Sequence, residues 1–329
     1  MLLYTIRRLI ASALVLLASS ALVFVLVAST VDPLAQFRTR QPPPPPEFFA
    51  QKRAEFGLDK PIYARYWDWL SGVLQGDFGN NIAGNPVGPT LFTRLGVTAR
   101  MVLAATILSI LLAVVVGVYT AVRKNKLADY IATIVSYILI ALPVFWFAVL
   151  LKEFVAIRFN DLIGQTVLYT QGEESPGLSL YAHGWELWKD RLTHLILPTI
   201  ALTGITFAAW SRFQRASMLD VMSSEYMRFA RAKGVRWRRV LIKHGLRNAL
   251  IPLTTVVAIG VGAIFGGAII TETVFNWNGM GRYFTQDGLG QSDLNVVLGW
   301  LIVSAFFVVL FNLIADLLYA VLDPRIRLS

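Results

Sequence analysis

The sequence predicts an all-α integral membrane protein with six spanning helices and both termini on the cytoplasmic side. Three observations predict it: a deficit of charge, six apolar segments of spanning length, and an uneven distribution of Lys and Arg between alternate loops. Only 15% of the 329 residues are charged and 56% are apolar, whereas a soluble domain usually carries about 25% charged residues. Cysteine is absent, which excludes a disulfide framework, a thiolate metal site and a cysteine nucleophile. A net charge of +10 would suit nucleic acid if it covered a soluble surface. Most of it instead falls in one stretch between two apolar spans, so membrane lipid is expected as the surrounding partner and nucleic acid is not.

A spanning helix needs about 20 apolar residues, because 1.5 Å per residue must cover about 30 Å of hydrocarbon. The first segment is Leu9–Ala28, within residues 1–30. A cleaved signal peptide is its alternative, since Arg7 and Arg8 precede it. Its apolar run exceeds the roughly 7–15 residues of a signal core, and Ser29-Thr30-Val31-Asp32-Pro33 is a poor cleavage site. It is therefore read as a retained helix.

Residues 31–97 form a large extracytoplasmic loop. The five prolines Pro42 to Pro46 predict an extended polyproline II spacer. Pro61–Leu74, rich in Tyr and Trp, predicts an amphipathic helix at the membrane–water boundary. Residues 98–329 are the transmembrane core, with further spans at Val102–Ala121, Tyr130–Leu150, Leu195–Trp210, Leu250–Thr271 and Val296–Leu322. Pro143 is expected to kink the third span. The fourth is short and carries Thr199, Thr203 and Thr206, so it faces other protein rather than lipid. Gly172 to Gly177 in the loop before it is turn chemistry. In the fifth, Gly262 and Gly266 form a small-xxx-small pair suited to close helix packing.

Orientation follows from the loops. Arg7 and Arg8, then Arg123, Lys124 and Lys126, then the fourth–fifth connection, then Arg325 and Arg327 all fall on one side if the helices alternate. The connection from Arg212 to Arg247 alone holds ten basic residues against Asp220 and Glu225. On the other side, Val31–Gly96 holds seven basic and six acidic residues, and Lys152–Arg191 four and six. The basic side is the cytoplasmic one.

Within the basic connection, Tyr226, Phe229, Ala230 and Lys233 recur at helical spacing, with arginines between them and a Gly stop at Gly234. Such a helix outside the bilayer binds either anionic headgroups or a soluble partner. Its run EYMRFARAKGVRWRRVLIKHGLRNALIP resembles the cytoplasmic coupling loop of bacterial ABC importer permeases, in their oligopeptide/dipeptide branch. Similar too are LLYTIRRLI at the start, Gly57–Gly79, HLILPTIAL at His194–Leu202, ETVFNWNGMGR at Glu272–Arg282 and LLYAVLDPRIRLS at the end. Arg228, Ala230 and Gly234 stand at the wider family's Glu, second Ala and Gly. The arginine and the long run from Gly234 to Pro252 depart from the sugar permeases and resemble the peptide branch. Thr30-Val31-Asp32-Pro33 and Trp277-Asn278-Gly279 depart from the branch's usual Pro-Gly-Asp-Pro and Trp-Pro-Gly.

The resemblance implies a type I importer permease fold. It also implies pairing with a second, paralogous permease, ATPase subunits docked on the loop 212–247, and an extracytoplasmic peptide-binding protein delivering cargo. The implied location is the inner membrane of a bacterium. The implied coupling residues are Glu225, Tyr226, Arg228, Ala230, Arg231 and Gly234. For the translocation path the candidates are Pro143, Trp146, Glu272 and Asp316. The two acids lie in or near hydrocarbon, where they are costly and mark function by default; Glu272 has the alternative of pairing locally at the outer boundary.

No Gly-x4-Gly-Lys-Ser/Thr run occurs, so ATP and Mg are expected on separate chains. No catalytic residue, cofactor or metal is expected in this one. His183, His194 and His244 are unpaired on any one helix and no His-Glu-x-x-His run occurs, which disfavours an intramembrane hydrolase. Two alternatives remain: a secondary transporter, which usually shows internal repeats although none is evident, and, by the resemblance, the same ABC fold importing dipeptides, glutathione or nickel chelates in place of the oligopeptides it puts first.

Overall fold

The computed structural model describes residues 2–322, with side-chain surroundings described for all of these but 2, 3, 263, 265–267 and 319–322. Arg325 and Arg327 lie outside the described residues, as do the side-chain surroundings of Gly266. The described elements are helical; the β-type pairing is one isolated bridge between Asn80 and Pro86.

The first apolar segment is the helix α1 (Leu2–Thr30). After the short α2 (Ala35–Arg38), Pro46 starts α3 (Pro46–Glu55), so the extended proline stretch ends at Pro45. Proline suits a first helical position, where its missing N–H has no helical partner anyway. The expected Tyr- and Trp-rich helix is α4 (Ile62–Leu74). It is pinned to α1 by the Ser20 and Tyr66 hydroxyls, 3.0 Å apart, and by Phe24 against Tyr66 and Trp69. Tyr63 and Trp67 stay exposed on its other face.

α5 (Val87–Val122) is 36 residues long, about 54 Å, and so begins well before the predicted span. α6 (Leu127–Ala141) has only 15 residues, about 22 Å, too short to cross hydrocarbon alone. α7 (Val144–Leu150) follows, continuing through a π-helical stretch, Leu151–Ile157, into α8 (Arg158–Ile163). The expected kink at Pro143 is a break: the two arms meet at 108°. Leu142 is extended, as residues before proline are, and Pro143 caps the next helix through its carbonyl.

After α9 (Leu178–Tyr181), the fourth span is α10 (Trp185–Ser223). It leads into α11 (Glu225–Ala232) and α12 (Trp237–Arg239). A π-helical stretch, Val240–Leu246, then joins α13 (Arg247–Val274). The turn-forming α14 (Met280–Arg282) and a π-helical stretch, Tyr283–Leu289, precede α15 (Leu294–Leu322). Five of the described helices are long and apolar enough to cross a membrane, and six spans result if the bent α6–α8 unit is one.

The centre of the bundle is the parallel pair α5 and α10. Met101, Ala105, Ser109, Ala113, Gly117 and Ala121 recur every fourth residue along α5, and all are buried. In the absence of a hydrophobic drive between helices in lipid, small side chains let backbones approach. A Cβ at Gly117 would stand 2.8 Å from the Ser211 carbonyl oxygen and 2.9 Å from Gln214 Cβ. α13 runs antiparallel against both: Leu253 joins Ala113 and Trp210, and Ala249 joins Ala121 and Met218. Gly260 admits the Trp210 ring, and Gly262 packs on the backbone of α15, where a Cβ would stand 3.2 Å from Val308 Cα.

Candidate functional site: a detached helix and a closed turn at opposite ends

At one end of the bundle α10 stops at Ser224, whose extended backbone also starts α11. The change of direction is local, because the Ser224 hydroxyl returns to the Val221 carbonyl at 2.5 Å. Gly234 ends the helix: its φ of 76° lies in the left-handed region that only glycine enters freely, and its N–H bonds the Arg231 carbonyl at 2.9 Å.

Six candidate residues lie on or beside this eight-residue helix, which is held by a narrow contact. Met227 is 1% exposed, and it meets Met218 at Gly245, where a Cβ would stand 3.0 Å from Met218 Cε and 3.2 Å from Met227 Cε. Tyr226 accepts a bond from Asn248 Nδ2 at 3.0 Å, and Arg231 stacks on the Trp237 ring. Glu225, Arg228 and Gly234 are exposed, Ala230 is half-buried, and Phe229 is 67% exposed. Tyr226 is 41% exposed beside it, so two aromatic side chains of this helix are left open. Sequence reasoning missed Met227; its signal is an apolar residue three before Ala230, with a glycine at the start of the next span to receive it.

At the other end, Glu272 is fully buried in the last turn of α13. Thr98 of α5 donates to Oε1 at 2.5 Å, and the Gly281 and Arg282 amides donate to Oε2 at 2.7 and 3.1 Å. The Thr98 hydroxyl oxygen in turn accepts the Met280 N–H at 2.8 Å. The segment Phe275–Arg282 is thereby folded back under α5. Arg94 and Arg282 both bond Asn278, and Trp277 is buried. A side chain at Gly279 would strike Glu272 and Thr98. Glu272 accordingly presents its carboxylate to this turn and not to an open cavity.

The other path candidates stand apart. Pro143 occupies the break between α6 and α7, and Trp146 on α7 is 51% exposed. Asp316 of α15 pairs with Arg8 of α1 at 3.0 Å. The structure thus brings the coupling candidates together in one place and leaves Pro143 and Trp146, Glu272 and Asp316 at three separate ones.

Beside the closed turn the loop before α10 is tied down. Glu173 pairs with Arg100 at 2.9 Å and Glu174 with Arg191 at 2.8 Å, while Ser175 bonds Asp190 through both its amide and its hydroxyl. Burial pushes the Glu173 carboxyl above the usual carboxylate range, against the pull of Arg100. Asp293, buried at the start of α15, accepts from the Ile82 amide at 2.6 Å and from the Val296 amide at 3.1 Å. Burial raises its pKa as well. Among the described residues no cluster of three potential metal-ligating side chains occurs.

Two family models match the chain: the binding-protein-dependent transport system inner membrane component over residues 113–328, and the N-terminal part of such membrane components over residues 1–91. The oligopeptide transport system permease protein OppB of Mycobacterium tuberculosis is 39% identical over 326 residues, 99% of each chain. AppB of Bacillus subtilis, also named an oligopeptide permease, is 37% identical over 98% of this chain and 99% of its own. The dipeptide permease DppB of Escherichia coli is 36% identical over 86% of each. A spanning-helix bundle with this coverage by family and relatives leads to one statement: the chain is a multi-pass membrane protein of the binding-protein-dependent transport system inner membrane component family.

Proposed function

We propose that this chain is the membrane-spanning permease subunit of an ATP-driven importer that moves oligopeptides across the bacterial cytoplasmic membrane. The observation that carries the reading is α11: a short helix beyond the end of α10, anchored through buried Met227 and the Tyr226–Asn248 bond, with Glu225, Arg228 and Phe229 open to the outside. Such a helix serves as a lever between a soluble motor and the bundle. Relatives named as oligopeptide permeases are 37–39% identical along 98–99% of the chain, against 36% along 86% for the dipeptide permease and 32% along 99% for a glutathione permease; oligopeptides are therefore put first as cargo.

In this reading α6 and α7–α8 together make the third of six spans, and both termini and the loop 212–247 are cytoplasmic. Residues 1–30 are the first span, 31–97 the outer loop and 98–329 the core. A second, paralogous permease completes the path, an extracytoplasmic binding protein supplies the peptide, and ATPase subunits, which hold ATP and Mg, dock on Glu225–Gly234. Closure of the ATPase pair pushes α11. The push passes through Met227 into the junction of α10 and α13, and α13 carries the turn 275–282 at its far end. A ligand shifts an equilibrium only through unequal affinity for its states, and α11 is where that inequality acts.

The test is uptake of a labelled oligopeptide by proteoliposomes holding the complete transporter and its binding protein. Uptake that needs ATP on the α11 side supports the reading. Uptake driven by an ion gradient without ATP would overturn it in favour of a secondary transporter.

A further inference from the structure

Between α6 and α10 lies an open groove of about 490 Å³. Ile140, Ala209 and Phe213 form its apolar part, and Tyr137, Arg212 and Arg215 its polar part. Arg215 is neutralised, since its Nε and Nη2 donate to the two oxygens of Asp129 at 2.6 and 2.7 Å. Arg212 has no such partner. Its guanidinium stacks 4.1 Å from the Tyr137 ring centroid and donates one bond, at 3.0 Å, to the Tyr137 hydroxyl. Among the described residues no carboxylate pairs with it. An unpaired cation on a spanning helix needs water or an anion.

Depth and surroundings decide which. Gly117 packs on Ser211 and Gln214, so Arg212 is level with a point five residues before the end of α5 at Val122, about 8 Å along the axis. Tyr119, Tyr130 and Tyr137 are exposed at this same end, as expected of an aromatic belt at headgroup level. The flank of α6 beside the groove exposes Ile131, Ile134 and Ile138, an apolar surface that suits an acyl chain. Exposed Lys124 and Lys126 precede the helix.

We propose that this groove binds an anionic phospholipid: Arg212 holds the headgroup phosphate, and an acyl chain covers Ile140, Ala209 and Phe213. Basic pockets between spanning helices are known seats for such headgroups, and a guanidinium offers a phosphate parallel donors. The inference rests on the proposed function in naming the leaflet as the cytoplasmic one and in treating α10 as the stalk of the lever. Because α10 also carries α11, the bound lipid braces α6 against the stalk of the lever.

The experiment is native mass spectrometry of the assembled transporter released from nanodiscs of phosphatidylcholine with or without phosphatidylglycerol. The wild type is expected to retain phosphatidylglycerol over phosphatidylcholine. Arg212→Gln should weaken that retention about tenfold, the loss of one charge-assisted contact, while Arg212→Lys keeps most of it. Equal retention of the two lipids by the wild type overturns the proposal, as does unchanged phosphatidylglycerol retention in Arg212→Gln. A third result also overturns it: lipid retention unchanged in Arg212→Gln, with slower uptake of peptides bearing a free C-terminal carboxylate than of their amides, would turn Arg212 towards cargo. Lipid retention is read without transport, so this test and the uptake test fail independently.

Discussion

Glu272 shows what one buried carboxylate does for a turn. Three donors converge on it, two of them backbone amides of the single short turn α14. Removing the acceptor leaves those donors buried, at about 1–3 kcal/mol each. Glu272→Ala should therefore lower the stability of the detergent-solubilised protein by about 3 kcal/mol, read as a fall in the thermal midpoint of tryptophan fluorescence. Glu272→Gln, which keeps an acceptor, should lose less; an unchanged midpoint in the alanine variant would contradict the account. Asp293→Ala should cost about 1–2 kcal/mol by the same measurement, since it removes a helix cap and frees the Ile82 amide. An acid at the end of an apolar run is legible in the sequence as unusual, and pairing at the outer boundary is one of its two readings there. That its partner is Thr98, 174 residues away, is not legible, because no local pattern encodes a contact across the bundle.

At the scale of elements, α11 carries a sharper expectation. Nothing lies within 4 Å of a Cβ at Gly234, so a large side chain there meets only backbone strain and whatever docks outside. Gly234→Asn, which tolerates the left-handed region, should keep transport coupled to ATP hydrolysis. Gly234→Trp and Ala230→Glu should insert into the membrane, let ATP hydrolysis continue and abolish peptide uptake. Unchanged uptake in both would remove the coupling role of α11. The helix is legible from its spacing and its glycine stop, and Pro61–Leu74 from its aromatic amphipathicity. At Pro143 the sequence predicts a kink where the structure has a break, since sequence marks the lost hydrogen bond but not the angle of the arm beyond it, which seats Phe147 against Gly204 of α10.

Across the whole molecule the order of packing is α5 with α10 at the centre, α13 across them, and α15 with α1 outside. The stripe of small side chains at every fourth residue of α5, from Ala105 to Ala121, underlies that centre. Gly117→Leu should separate the pair and cost about 1–3 kcal/mol, as overpacking does, seen as a lower thermal midpoint and reduced yield of the assembled transporter. Hydropathy marks α5 as a span but hides this stripe, because alanine, serine and glycine score little and the signal is their spacing. The apolar segments themselves are legible throughout, since length and composition suffice for a span in lipid.

The central claim is that this bundle works as one part of an ATP-driven assembly. Its most direct test is gentle detergent purification of the tagged chain from its native membrane, with the co-purifying proteins identified by mass spectrometry. The account predicts a second, distinct permease and P-loop ATPase chains in fixed stoichiometry. Recovery of the chain alone, or only with copies of itself, would contradict it.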